Sequence, residues 1–175
     1  MDGKHVLSSW LKRNGFVAHQ LESYNEWLSH GLPQTITGHP WTIRDEASKR
    51  TITLHFSKLE SKVPTILEDN GCVRKLVPNE ARLRDATYAS PTYVDVTVKV
   101  DGKLDAEIPQ LFLGYVPVMV KSQLCFHSEA GGSEGTRPED LRSIGVMDHG
   151  GYFIVKGKEK MIISQERLAW NVFYK

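Results

Sequence analysis

Two groups of basic side chains are the residues here whose type and spacing could do chemistry. Arg74, Lys75, Arg82 and Arg84 lie close together in the chain, offset by Glu80 and Asp85. Arg82 and Arg84 share parity, so on a strand or a turn they present two guanidinium groups side by side. A planar guanidinium grips a carboxylate or a phosphate through two parallel hydrogen bonds. Internal salt bridges tying a loop to a sheet are the expected role, because buried or interfacial arginines usually pair with carboxylates. Phosphates, or an acidic partner surface, are the alternative. The second group is Lys156, Lys158, Lys160 and Arg167. Its three lysines share parity around a turn and form a positive fringe, which either contacts nucleic acid or solvates the turn.

No catalytic constellation emerges from the rest. Seven histidines are scattered, and Cys125-x-His127 is the one close Cys/His pair. A zinc site wants four ligands, usually on paired knuckles. Cys72 and His149 could complete a set, but no spacing asks for it, so zinc is not expected and burial of both cysteines is. Asp95, Asp101 and Asp105 fall within one expected hairpin, without the close clustering that two-metal phosphoryl transfer requires. Lys156-Gly157-Lys158 and Gly131-Gly132 lack the strand–loop–helix frame of a phosphate loop, and no Gly-x-Ser-x-Gly elbow occurs. The chain alone is expected to be inert and to bind no cofactor.

Composition narrows the setting. The 175 residues are 40% hydrophobic and 25% charged, which predicts one globular domain with one core. A formal net charge of +1 argues against a free-standing nucleic-acid binder, which gains affinity by neutralising phosphates. Any such contact is local or shared with partners. Two cysteines without Cys-x-x-Cys spacing favour a reducing compartment. Neither an apolar leader nor a membrane-length run is present, so a soluble, intracellular chain with no membrane partner is expected.

The elements that must position these residues read as α+β, with two N-terminal helices followed by a mainly antiparallel β region. Residues 1–32 are helical. Val6, Leu7, Trp10 and Leu11 share one face, Asn14-Gly15 makes a break, and Val17, Leu21, Tyr24 and Leu28 form a second stripe. Both stripes are expected to face the core, and Gly31 and Pro33 to end the second helix. Residues 33–50 read as a connection. The β region spans residues 51–175, with loops and short helices. It opens with Ile52, Leu54 and Phe56 alternating on a strand, and residues 60–91 are then broken by Pro64, Asn70-Gly71, Pro78 and Pro91. Val94, Val96, Val98 and Val100 mark the clearest strand, turning at Asp101-Gly102 onto Leu104, Ala106 and Ile108. Leu111 to Tyr115 and Val118 to Val120 suggest a further pair around Pro117. Residues 128–137 read as a flexible loop, and Pro138 to Leu141 as a first helical turn. A last hairpin pairs Tyr152 to Val155 with Met161 to Ile163 around Lys156-Gly157. Trp170, Phe173 and Tyr174 then want a partner, so the ending is expected to be a cut through a larger fold.

Several of these segments carry a resemblance. Gly150-Gly151-Tyr152-Phe153-Ile154, Gly157, Glu159-Lys160 and Gln165-Glu166-Arg167 resemble the Gly-Gly-Tyr-Phe-Ile-x-x-Gly-x-Glu-Lys…Gln-Glu-Arg stretch of the second-largest, beta-type subunit of multi-subunit DNA-directed RNA polymerases. Three further blocks follow family order. Gln20-Leu21-Glu22-Ser23-Tyr24-Asn25-Glu26-Trp27 is similar to its Gln-Leu-x-Ser-Phe-Asn-x-Phe helix. Glu80-Ala81-Arg82-Leu83-Arg84 with Thr87-Tyr88-Ala89-Ser90 and Val94-Asp95-Val96 is similar to a second block, and Gly114 through Pro117 and Met119 to Ser122 and Cys125 to a third. The form is that of the eukaryotic, archaeal and large-DNA-virus subunits, and it departs from the family at Lys156 and Lys158.

The resemblance implies an incomplete protrusion domain, the β-rich wall on the upstream side of the nucleic-acid cleft, completed elsewhere in the full subunit. It implies a share in DNA-dependent RNA synthesis, shaping the cleft and docking other subunits, with nucleotidyl transfer left to the assembled enzyme and its magnesium. Implied partners are the beta-prime-type largest subunit, the rest of the beta-type subunit, the DNA template, the RNA–DNA hybrid and initiation factors. The stretch holding Ser164, Gln165 and Arg167 is placed towards the hybrid; with the Arg82 and Arg84 pair, whose alternative role is phosphate contact, and the fringe lysines, this gives Arg82, Arg84, Lys158, Lys160, Ser164, Gln165 and Arg167 as the candidate nucleic-acid-proximal residues. Location follows the source: nucleus or cytoplasm, virion or virus factory. The alternative is a stand-alone, non-enzymatic protein- or nucleic-acid-binding module with a polymerase-derived fold.

Overall fold

The computed structural model describes residues 3–46, 49–125 and 148–167, without the side chains of 12–14. Helices α1 (Gly3–Asn14) and α2 (Ala18–Glu26) flank the break at Gly15. The helical path then continues past Gly31 and Pro33 instead of ending there. A π-helical turn (Trp27–Gly31) leads into α3 (Leu32–Thr37). Pro33 explains the wider turn: it lacks an N–H and its ring crowds the carbonyl of residue 29. Spacing of five relieves that clash, and the Leu32 N–H donates to the Trp27 carbonyl.

Strands β1 (Trp41–Arg44), β2 (Thr51–Ser61), β5 (Ala89–Val100) and β6 (Lys103–Pro117) form an antiparallel sheet in the order β1-β2-β5-β6. Residues 33–50, expected as connection, thus hold all of α3 but its first residue, and an edge strand. Directly opposed residues share a face. Trp41 meets Leu54, Ile43 meets Ile52, Phe56 meets Val96, and Val96 meets Ile108, so the apolar residues gather on one side. Between β2 and β5 lie the short hairpin of β3 (Thr65–Leu67) and β4 (Val73–Lys75), turning at Asn70-Gly71, and helix α4 (Pro78–Leu83). Arg82 is therefore helical and Arg84 caps that helix; neither lies on a strand.

The pair expected around Pro117 does not form. Leu111 to Tyr115 belongs to β6, which runs on because Gln110 takes a positive φ of 50° and its N–H donates to Asp95 Oδ1 at 2.8 Å. Among the described residues Val118 to Val120 makes one bridge, Met119 to Phe153. In the terminal hairpin, β7 (Phe153–Val155) pairs with β8 (Lys158–Lys160), not with Met161 to Ile163. Lys156 and Gly157, at φ of 50° and 71°, form a two-residue loop that pairs Val155 with Lys158 and leaves no slack for a later register.

The tightest packing lies where α4, the 118–125 segment and β7 converge, on Leu76, Ala81, Tyr88, Val118, Val120, Cys125 and Ile154. Backbone bonds close this junction: Tyr88 N–H donates to Ile154 O, Val118 N–H to Tyr88 O, and Val120 N–H to Tyr152 O, each at 2.9 Å. Two expectations about burial fail. Val6, Leu7 and Trp10 of α1 are each more than half exposed, because no described element packs over that stripe. Cys72 sits exposed beside the β3–β4 turn, while Cys125 is buried. Tyr24 is buried as expected. Residues 128–137, Pro138 to Leu141, Trp170, Phe173 and Tyr174 lie outside the described residues.

Candidate functional site

A groove of about 660 Å³ runs between α2 and the terminal hairpin. The spacing of Gln20, Tyr24 and Trp27 at i, i+4 and i+7 puts all three on one helical face. That face, with His19 and Ser23, makes one wall; Val116, Pro117 and Met119 make the floor; Phe153, Val155, Lys160, Ile162 and Ser164 make the other wall. Strand alternation divides the hairpin sharply. Ile154 points into the core and Glu159, opposite it, reaches Arg82. Phe153 with Lys160, and Val155 with Lys158, take the other face, so both lysines fall on the groove side.

Several contacts fix the walls. Tyr24 donates its hydroxyl to Pro117 O at 2.7 Å, and its ring centroid lies 5.5 Å from Phe153 and 5.8 Å from Trp27. Burial pushes the Tyr24 phenol up to about 12, so it stays a neutral donor. The Gln20 amide donates to Ile162 O at 2.8 Å and ties the segment after β8 to α2. Gly151 (φ 80°) brings the hairpin against the same helix, for a Cβ there would sit 2.9 Å from Val17 Cβ. Among the described residues no aspartate or glutamate lines the groove, and Lys158 and Lys160 have no ion-pair partner.

The arginines are used differently. Arg84 grips Glu68 with both terminal nitrogens, at 2.7 and 2.8 Å, and also reaches Glu80 at 3.0 Å. Arg74 bonds the same two glutamates. The Arg84 and Arg74 hydrogen bonds hold the Glu68 carboxyl down to about 2. Burial pushes Glu80 upward, but Arg74 and Arg84 outweigh it and its carboxyl also lies below the usual range. Arg82 bonds Glu159 at 2.8 Å and Tyr152, and lies 3.6 Å from Asp148. Burial raises Asp148, yet the Tyr152 hydroxyl and the Gly150 N–H hold it below its ordinary value. Burial, then the bond to Asp148, raises Tyr152.

The seven sequence candidates therefore separate. Lys160 and Ser164 line the groove and Lys158 faces it; Gln165 and Arg167 are exposed beyond it, Arg167 with an interaction of its own. Arg82 and Arg84 sit in carboxylate networks away from the lining. Sequence reasoning assigned Tyr24 to the core and gave Trp27 no role, although the spacing of Gln20, Tyr24 and Trp27 was a usable signal for one shared wall.

The described residues contain no group of three histidine, cysteine or acidic side chains able to hold a metal. Asp95 and Asp101 each accept a backbone N–H instead, from Gln110 and Thr51. No helix among the described residues is long and apolar enough to cross a membrane.

Comparison with known proteins extends the motifs over nearly the whole length. A family model described as RNA polymerase beta subunit matches residues 15–174. The chain is 34% identical to the DNA-directed RNA polymerase II subunit RPB2 of Encephalitozoon cuniculi, over 97% of the chain and 15% of that relative. It is 33% identical to the probable DNA-directed RNA polymerase II subunit RPB2 homolog of Invertebrate iridescent virus 3, over 95% of the chain and 15% of the relative. With the DNA-directed RNA polymerase subunit Rpo2N of Methanocaldococcus jannaschii it shares 31% identity, over 96% of the chain and 33% of that relative. The chain thus spans between 15% and 33% of the length of these relatives.

Proposed function

The chain belongs to the RNA polymerase beta subunit family, and from that premise we propose that it serves as part of the second-largest subunit of a DNA-dependent RNA polymerase. In this reading it shapes the nucleic-acid cleft and docks neighbouring subunits, the largest subunit and the remainder of the beta-type subunit among them. The observation that carries it is the family match across residues 15–174, whose motif-bearing segments meet at one buried junction. Ala81, Tyr88, Val118, Cys125 and Ile154 come from distant parts of the chain and interlock there. Such a junction fixes the hairpin, the hairpin presents Lys158 and Lys160 on one side, and Ser164 follows in the segment after it.

Nucleotidyl transfer and its magnesium belong, in this proposal, to the assembled enzyme. No catalytic step is assigned to this chain in the proposal. Lys158, Lys160, Ser164, Gln165 and Arg167 are the residues nearest nucleic acid. Arg82 and Arg84 act indirectly, by holding the hairpin and the β3–β4 turn. The place of action is that of the polymerase: nucleus, cytoplasm or virus factory according to source. Initiation factors are further partners.

Purification from the source organism tests the proposal. Recovery in a large complex with a largest-subunit-type polypeptide is expected. A stable lone monomer without such a partner overturns it in favour of a stand-alone binding module.

A further inference from the structure

We propose that the polar face of the four-stranded sheet carries a docking site for a proline-rich polypeptide segment led by an acidic residue, its prolines on Tyr93, Phe112 and Tyr115 and its carboxylate on Lys62. The site stands on the geometry of the sheet and is independent of the polymerase reading.

The two faces of the sheet differ. Val94 opposite Leu111 and Val96 opposite Ile108 mark the apolar one. On the other, His55 opposes Thr97 and Thr97 opposes Glu107, a surface suited to water. An aromatic cluster interrupts it. Alternation along β5 puts Pro91, Tyr93 and Thr97 on this face, and Tyr115 and Phe112 stand opposite Pro91 and Tyr93. Phe112 is 47% exposed and Tyr115 65%, although neither belongs to the face that a hydrophobic core needs. The rings are nevertheless held. Tyr93 packs edge to face on Phe112, and Phe112 on Tyr115, with centroids 5.7 and 5.1 Å apart. Exposed rings that hold each other in place form a preorganised surface, and binding there costs little ordering.

Shape selects the ligand. Rings set edge to face leave ridges and clefts instead of a flat platform, and such clefts take the compact rings of proline. A polyproline II helix has three residues per turn and rises about 3.1 Å per residue, so prolines three apart lie about 9 Å apart on one side. Tyr93 and Tyr115 lie on neighbouring strands, two positions apart along them, which strand geometry sets at about 8 Å. One proline therefore seats by each tyrosine, with Phe112 between. The segment arrives already extended and loses little entropy. A strand added at the β6 edge would pair backbone groups and leave these ring faces uncovered, since side chains stand perpendicular to the sheet. Charge complementarity supplies the acidic residue. Lys62 Nζ lies 4.4 Å from the Tyr93 ring centroid and has no ion-pair partner among the described residues. Glu60, opposite Tyr93, is met by Lys58 at 3.6 Å, and Asp95 accepts the Gln110 N–H. The charge lying on the rings is the ammonium of Lys62, and a carboxylate beside the first proline meets it.

The test uses the full chain at concentrations where sedimentation shows it monomeric. The probe is a fluorescein-labelled peptide of sequence Glu-Pro-Pro-Ala-Pro-Pro-Ala, followed by anisotropy. Saturable binding is expected, and about ten-fold weaker binding for Tyr115→Ala, with Tyr115→Phe keeping most of it. Replacing the prolines of the probe by alanine is expected to weaken binding by a similar factor. Lys62→Glu is expected to reverse the preference, so that a probe led by lysine binds better than the one led by glutamate. That reversal is a gain of binding, which a misfolded variant does not give. Lys103→Ala, at the distant β5–β6 tip, is expected to change nothing. No binding by the parent chain, equal binding of the alanine probe, Tyr115→Ala binding like the parent, or an unaltered charge preference in Lys62→Glu each overturns the proposal. Release of the probe as the chain self-associates would assign the patch to a second copy and overturns it too.

Discussion

Glu68 shows how a single carboxylate is committed in this protein. It sits between two guanidinium groups, doubly bonded by Arg84 and bonded again by Arg74. These bonds hold its pKa at about 2 against an ordinary 4.5. A carboxylate depressed in the fold contributes stability that is complete above the unfolded value and is lost as pH falls through the folded one. The relevant window therefore runs from 4.5 down to about 2. Solvent screens a partly exposed network, so the contribution is small. Glu68→Gln is expected to flatten the acid limb of stability in this window, read by urea unfolding at stepped pH. An unchanged acid limb would show that the network does not persist in solution. The same contacts explain why the arginines are poor candidates for direct phosphate binding: their donors are already turned towards carboxylates.

At the scale of elements, the terminal hairpin decides which residues face the groove, and its two-residue loop decides the hairpin. Lys156 holds a φ of 50°, a conformation that costs a side chain with a Cβ but that asparagine tolerates well. Lys156→Asn is expected to stabilise the chain by about 0.5 kcal/mol, whereas Lys156→Val destabilises it by 1 kcal/mol or more. Denaturant midpoints check both, and a destabilised asparagine variant would mean that the loop is of another type. The sequence displayed some elements plainly. Valine at every second position with Asp101-Gly102 after it marks β5 and its turn, and Lys156-Gly157 marks the last hairpin. What it hid has physical causes. Hydrophobicity pointed to Met161 to Ile163 as the second strand, but the short loop forces pairing on the charged residues before them. Proline suggested that the helix stops, whereas a π turn absorbed it. The groove was illegible because its walls come from residues near 20, 117, 153 and 162, and only tertiary structure brings them together.

Over the whole molecule, burial is uneven in a way that bears on assembly. The junction around Tyr88 and Ile154 is closed to solvent, while Val6, Leu7 and Trp10 on α1, Trp41 and Ile43 on β1, and Leu111, Phe112, Leu113 and Tyr115 on β6 remain largely exposed. Among the described residues the β6 strand is also a sheet edge, so backbone groups without a described partner strand and apolar side chains coincide there. Tyr93, Phe112 and Tyr115 extend an edge-to-face series along it, with centroids 5.7 and 5.1 Å apart. Long apolar edges of this kind pair readily with another chain unless something covers them. The isolated chain is therefore expected to bind a hydrophobic dye and to self-associate as its concentration rises. Leu113→Lys, which places a charge on that edge without entering the core, is expected to suppress association while leaving the thermal midpoint within a few degrees. Within a polymerase complex, the same edge is expected to resist limited proteolysis and to bind no dye. A compact monomer that takes up no dye at any concentration would mean that these surfaces need no cover, and would remove the structural reason for expecting partners at β6.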